Sequence, residues 1–232
     1  MIKTSKLLSL IVLTFPFYAK AGGIKSSSNS FSVLVRGGYM SGEAKTNRAI
    51  ISRIAALNSI KDSSNISIKG GAIGAGILYA HLFDNKLYSG IELEGSFDRA
   101  KGKAWTAINY GEPVGSTFKT THSYGASLRL GYLFKEWLPY IKLGILRSKW
   151  KSETEILPLL GKGSTSKYLN GGSFGFGVET PVNKNISVGG EFSQARYKKL
   201  SYNIMDKNNI GSVAIKSLSH VNKATVYIKH TF

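Results

Sequence analysis

Residues 122–134, HSYGASLRLGYLF, decide how this chain folds. On an extended strand Tyr124, Ala126, Leu128, Leu130, Tyr132 and Phe134 point one way, and Ser123, Gly125, Ser127, Arg129 and Gly131 the other. One face is uniformly greasy. The other is small, polar or charged and has no room for a packed core. A strand of this composition belongs in a membrane barrel, where the apolar face meets lipid and the polar face lines the lumen.

Working outward, the same alternation recurs eight times between residue 30 and Phe232. The expected strands and their lipid-facing residues are these: 31–40 with Phe31, Val33, Val35 and Tyr39, then 69–82 with Ile73, Ala75, Ile77 and Tyr79. Next come 87–98 with Ile91, Leu93 and Phe97, 122–134 as above, and 139–148 with Ile141, Leu143 and Ile145. The last three are 171–180 with Phe174, Phe176 and Val178, 186–194 with Ile186, Val188 and Phe192, and 218–232 with Ala224, Val226, Ile228 and Phe232. Pro139 is tolerated because it opens its strand. Short connections at 84–86, 135–138 and 181–185 alternate with long ones at 41–68, 99–119, 149–170 and 195–217. That sorting predicts an all-β, eight-stranded antiparallel up-and-down transmembrane β-barrel with short periplasmic turns and four long extracellular loops. A soluble sandwich or lipocalin-like barrel has no reason to sort its loops in this way. Phe83, Tyr88, Phe134, Trp137, Tyr140 and Phe232 cluster beside the short turns and fit an interfacial aromatic girdle.

The N-terminus has its own logic. Lys3 and Lys6 precede an apolar run from Leu7 to Tyr18, followed by Ala19-Lys20-Ala21. This is the order of a secretory signal peptide, expected over residues 1–21, and the run is shorter than the ~20 residues of a spanning helix. Residues 22–232 then form one barrel domain, with no Pro-rich or Ser-rich linker to divide it. With no cysteine in 232 residues, disulfides and thiolate metal sites are excluded. The formal charge of +18 falls to about +15 when Lys3, Lys6 and Lys20 leave with the leader. Such a charge raises nucleic-acid binding, but the basic residues are scattered over four loops without a recognition motif, so no nucleic-acid partner is expected.

Four blocks carry a family resemblance: GGAIGAGILYAHLFDNKLYSGIELEGSF (70–97), SYGASLRLGYLFKEWLPYIKLGI (123–145), GGSFGFGVETPVNKNISVGGEFS (171–193) and the terminal ATVYIKHTF. The sequence resembles the small outer-membrane β-barrels of Gram-negative bacteria of the OmpA/OmpX type, especially the surface antigens of intracellular α-proteobacteria. The resemblance implies residence in the bacterial outer membrane among its lipid and lipopolysaccharide. It also implies that Phe232 is the terminal signal read by the outer-membrane assembly machinery.

An eight-stranded bore is just wide enough for side chains to fill it. The inward register collects Arg36, Glu92, Glu94, Arg129, Lys142, Glu179, Glu191, Lys223 and Lys229. Charges of both signs in so confined a space are expected to form an ion-pair plug, the alternative being a small-solute pore lined by the same groups. No catalytic residue is expected. His122 and Ser123 are adjacent, so a regular strand turns them to opposite faces, and a lipid A-modifying enzyme remains a more distant alternative. Gly161-Lys162-Gly163-Ser164 lacks the spacing of a phosphate loop, and neither a metal site nor a cofactor is indicated.

The long loops carry excess lysine and arginine, including Lys198 and Lys199, which suits lipopolysaccharide phosphates or sulfated host glycans. Two apolar insertions lie among them. Ile50, Ile51, Ile54 and Leu57 recur at helical spacing in the first loop, and Ile156, Leu157, Leu159 and Leu160 interrupt the third. They either cap the barrel mouth or touch a partner. The expected role is a monomeric surface antigen supporting the envelope and contacting a host or matrix ligand through these loops.

Overall fold

The computed structural model describes residues 28–52, 60–107, 113–156, 161–205 and 211–232. The expected leader, 1–21, lies outside the described residues, as do Ile54, Leu57, Leu157, Leu159 and Leu160. The described chain is a sheet of antiparallel strands: β1 (Ser28–Ser52), β2 (Ile60–Leu82), β3 (Leu87–Ala107), β4 (Pro113–Tyr132), β5 (Leu138–Ile156), β6 (Gly161–Pro181), β7 (Ile186–Tyr197), β8 (Leu200–Met205) and β9 (Gly211–Thr231). From β1 to β7 each strand pairs with the next, β7 pairs with β9, and β1 pairs with β9 from Ser32↔Thr231 upward. Eight staves therefore close a ring. The short β8 hydrogen-bonds only the upper part of β9 and continues the stave of β7 past a break at Lys198 and Lys199.

Closure leaves the spanning part of the ring without a free edge, which is what lets strands satisfy their backbone groups in hydrocarbon. The two faces sort as the alternation requires. Val35, Ile73, Leu93, Leu128, Ile145, Phe176 and Val226 lie exposed on the outer wall, while Leu34, Leu78, Glu92 and Arg129 are buried inside. From Tyr124 on β4 to Phe134 just past its end the apolar face spans eleven residues, about 25 Å of height for a strand tilted by roughly 40°. That matches the belt of a transmembrane barrel.

Tight turns close one end. In the turn at 83–87, Lys86 takes φ 67° and its N–H donates to the Phe83 carbonyl at 2.9 Å. Phe134 and Trp137 exchange both backbone hydrogen bonds at 2.8 and 2.9 Å around Lys135, which has φ 56°. At the third turn the Asn183 side chain accepts from the N–H groups of Asn185 (2.9 Å) and Ile186 (2.8 Å).

At the other end the four long excursions are built differently from free loops. Most of their residues continue the strands: Ser41↔Lys69 is followed in register up to Ile50↔Ile60, and Lys149↔Tyr168 up to Ile156↔Gly161. The ladder supplies the physical reason. A polar chain leaving the membrane satisfies its N–H and C=O groups most cheaply by extending pairing that already exists. The helical spacing at Ile50 and Ile51 therefore does not produce a helix: both lie in β1, opposite Val213 and Ser212 on β9, and Ile156 ends β5.

A register shift on β4 between Thr120 and Ser123 changes which parity faces inward. Below it Ser127 and Arg129 point into the bore, and above it Phe118 and Thr120 do. An extra residue in one strand has this effect because side chains alternate with a period of two.

Candidate functional site

The bore is filled in three layers. Nearest the tight turns Leu34, Leu78, Ala80, Tyr88, Leu138, Tyr140 and Tyr227 form an apolar floor. Tyr88 and Tyr140 thus correct the expected girdle, which keeps Phe83, Phe134, Trp137 and Phe232 on the outer wall. Their strand parity settles the matter. With Ile91 and Ile141 facing lipid, residues 88 and 140 must face the bore.

The middle layer is ionic and holds eight of the nine charged residues expected in the bore, with Lys223 just above it. Glu92, fully buried, accepts from Arg36, from Arg129 Nε and, at 3.5 Å, from Lys142 Nζ. Arg36 also pairs with Glu94. Lys142 Nζ bridges Glu94 Oε2 at 3.0 Å and Glu191 Oε1 at 3.1 Å, and Lys229 pairs with Glu179. The guanidinium of Arg129, also fully buried, lies between two rings, 4.5 Å from the centroid of Tyr140 and 5.2 Å from that of Tyr227. The phenols finish the job: Tyr140 Oη donates to Glu191 Oε2 and Tyr227 Oη to Glu179 Oε2, each at 3.0 Å. Two glycines make room for these rings. A Cβ at Gly177 would stand 2.5 Å from the Tyr140 ring, and one at Gly189 2.4 Å from that of Tyr227.

Sequence reasoning missed one carboxylate. Asp98, buried above this layer, accepts from Lys223 Nζ (3.1 Å), Ser96 Oγ (2.9 Å) and Ser123 Oγ (2.7 Å). It ends the expected third strand on the even, inward parity and could have been found from that. With it the bore is balanced among the described residues: Arg36, Arg129, Lys142, Lys223 and Lys229 face Glu92, Glu94, Asp98, Glu179 and Glu191. Balance matters because an unpaired ion here would keep a desolvation penalty of several kcal/mol. The cavity left beside Arg36, Glu94, Ser96 and Lys223 is about 60 Å³.

A second apolar layer seals the far side. Met40, Ala44, Ile66, Ile68, Ala100, Phe118, Trp150, Leu169, Tyr197 and Val221 pack together, with the rings of Trp150 and Tyr197 edge to face at 5.3 Å. Phe118, Trp150 and Leu169 fall in segments expected to be loops. The strand extensions carry the bore, and its filling, past the belt.

His122 and Ser123 diverge as expected. His122 Nε2 pairs with Tyr168 Oη at 2.9 Å while Ser123 turns inward to Asp98. Phe232 is largely exposed on the wall; its N–H donates to the Phe31 carbonyl at 3.0 Å, and its ring stands 4.7 Å from that of His230. Lys198 and Lys199 are exposed at the break after β7, where Lys198 N–H donates to the Asn170 carbonyl at 2.8 Å.

A closed ring of eight staves, lipid-facing outside and ionic within, now meets the comparisons with known proteins. Residues 27–214 match the family described as the outer membrane protein beta-barrel domain. The chain belongs to this family. Its place is accordingly the outer membrane, with the tight turns periplasmic and the strand extensions extracellular. No curated protein matches the sequence. Among solved structures, the outer membrane protein OprG from Pseudomonas aeruginosa is similar at 11% identity over 87% of this chain and 95% of that one, with a TM-score of 0.53. The outer membrane protease OmpT from Escherichia coli is similar at 13% identity over 95% and 99%, with a TM-score of 0.50. At such identities the likeness is one of fold.

In an outer membrane barrel of this family the extracellular wall faces headgroups and solvent, and here it is basic. Arg99, Lys101, Lys103, Arg147, Lys151, Arg196, Lys198 and Lys199 are all exposed. Against them stand Glu43, exposed on β1, and Glu153, whose oxygens accept from Lys119 Nζ at 2.9 Å. That hydrogen bond holds the Glu153 carboxyl below its ordinary range.

Proposed function

We propose that this barrel is a closed-bore surface protein of the outer membrane, monomeric, non-enzymatic and built to contact a host or matrix ligand through its basic extracellular extension. The observation that carries this reading is the filling of the bore. Two apolar layers enclose an ion-pair layer of equal positive and negative count, so neither solute nor ion finds a wetted path. A wide aqueous channel needs roughly sixteen strands. With transport set aside, the feature left to act is the tall, basic extracellular part, which displays its charge clear of the membrane. Monomeric behaviour fits a ring whose every stave is paired. The apolar residues Ile50 and Ile156 belong to the extracellular extensions of β1 and β5, which carry the proposed contact.

Two measurements test the reading. Refolded protein in a planar bilayer is expected to show no steady conductance; a large ion-selective current would return the bore to the small-solute porin reading. For contact, β1–β2 is joined by a two-residue turn at Thr46 and Ser64, and β5–β6 likewise at Ser152 and Thr165. Cells carrying the shortened barrel should lose binding to host cells or matrix while keeping a folded barrel in the envelope. Unchanged binding would remove the extension from the function.

A further inference from the structure

Above the apolar belt the outer wall places like charges side by side. Lys69, Lys101, Lys119 and Lys151 are direct partners across β2, β3, β4 and β5, all on the outward face. Cross-strand neighbours stand ~4.5–5.5 Å apart at Cβ, and like charges so placed repel. Among the described residues only Glu153 reaches this row with an ion pair, through Lys119. The row is therefore left with positive charge that no other described residue answers.

Beside it the wall has a groove. Gly172 faces outward between Ile145 on β5 and Arg196 on β7, and a Cβ there would meet nothing nearer than the Gly144 carbonyl at 4.0 Å. The missing side chain opens a shallow groove of about 910 Å³. Its lower side is apolar, with Leu93, Tyr124 and Ile145, its upper side carries Arg147, Arg196 and Lys198, and the one carboxylate in its lining, Glu94, is paired with Arg36 and Lys142 of the bore. Arg147 lies 5.2 Å from the Tyr168 ring centroid and, like Arg196, makes no ion pair among the described residues.

We propose that this groove and the lysine row form a binding site for the phosphorylated, acylated glycolipid of the surrounding outer leaflet. One acyl chain lies over Gly172 against Ile145 and Tyr124. The sugar phosphates are held by Arg147 and Arg196, whose planar guanidinium groups suit bidentate phosphate contacts. The lysine row neutralises the remaining headgroup charge. Position discriminates this occupant from a soluble sulfated polysaccharide. The lower half of the groove lies in the apolar belt, out of reach of a polyanion in water, whereas an amphiphile with phosphate next to its acyl chains fills both halves at once. The site rests on residence in the outer membrane and is independent of any host contact.

The test counts lipids retained by the refolded barrel in detergent, by native mass spectrometry. The probes are bisphosphorylated lipid A, its dephosphorylated form, phosphatidylethanolamine and a heparin oligosaccharide. Wild type should retain bisphosphorylated lipid A preferentially. R147Q/R196Q and K101Q/K119Q/K151Q should each weaken retention by about tenfold or more, the effect of losing at least 1.4 kcal/mol. G172L, which fills the groove without touching a charge, should weaken it as well. Every variant lies on the outer wall, and its heat-modifiable gel mobility reports separately that it has folded. Equal retention by wild type and the two charge variants overturns the proposal, as does indifference to dephosphorylation or a preference for heparin. Wild-type retention by G172L overturns the acyl seat.

Discussion

Glu92 shows at the scale of one residue what holds the bore together. It is fully buried and answered by Arg36, Arg129 and Lys142, so removing its charge leaves three cations with one acceptor fewer. Glu92→Gln is expected to destabilise the barrel by about 3–5 kcal/mol, the range for breaking a buried pair. Glu94→Gln should cost clearly less, because Glu94 is 26% exposed and water can take up the released partners. Thermal unfolding in detergent orders the two, and equal losses would contradict a plug graded by burial. A double substitution, Arg129→Met with Glu92→Met, should recover much of the loss, since a matched apolar pair carries no desolvation penalty. The tyrosines act on the same scale. Tyr140→Phe and Tyr227→Phe each remove a hydrogen bond to a carboxylate, worth about 1.5–3 kcal/mol. Gly189→Ala should resemble Tyr227→Phe, because the added methyl would stand where the Tyr227 ring lies.

At the scale of a strand, β4 carries the decisive irregularity. The register shift between Thr120 and Ser123 sends Phe118 into the bore and Lys119 to the outer wall. Phe118→Asp should therefore prevent formation of the heat-resistant folded band on gels, whereas Lys119→Asp should leave it unchanged; the reverse order would place the shift elsewhere. The same feature marks where the sequence stops being legible. Each spanning segment could be read because lipid on one side and a charged bore on the other impose strict alternation, and the nine inward charges followed from parity alone. Applied consistently, parity also places Tyr88, Tyr140 and Asp98 in the bore; judging aromatics by nearness to a turn obscured the two tyrosines. The extensions could not be read in this way. Beyond the belt the outward residues meet water and turn polar while the inward face gains Ile66, Ile68, Trp150 and Leu169, so the contrast that marks a spanning strand inverts. Phe118 then stands out only once the parity switch at 121–122 is known, whereas Trp150 and Leu169 keep the inward parity of their own strands past the belt.

The whole molecule is a column of three seals in series, and series barriers give conductance a particular dependence on mutation. A path through the bore must cross the apolar floor with Tyr140 and Tyr227, the ionic layer around Arg129 and Glu92, and the upper layer with Phe118 and Trp150. Opening one apolar layer leaves the other as a complete seal in the path, so current should stay at baseline for Phe118→Ala with Trp150→Ala, and also for Tyr140→Ala with Tyr227→Ala. Joining both pairs leaves the ion-pair layer alone in the path. Its carboxylates and cations are then wetted from both sides, and Coulomb attraction weakens several-fold as the effective dielectric rises. The four-fold variant is accordingly expected to show small, flickering currents in planar bilayers, favoured by salt, which screens the loosened pairs. The paired variants also separate this reading from a pore gated at one place. If either apolar pair alone produced steady conductance, one layer would be the gate and the others already permeable. The strand extensions give this arrangement its height: they carry Trp150 and Phe118 above the lipid belt, so the upper seal closes a bore that the membrane no longer surrounds.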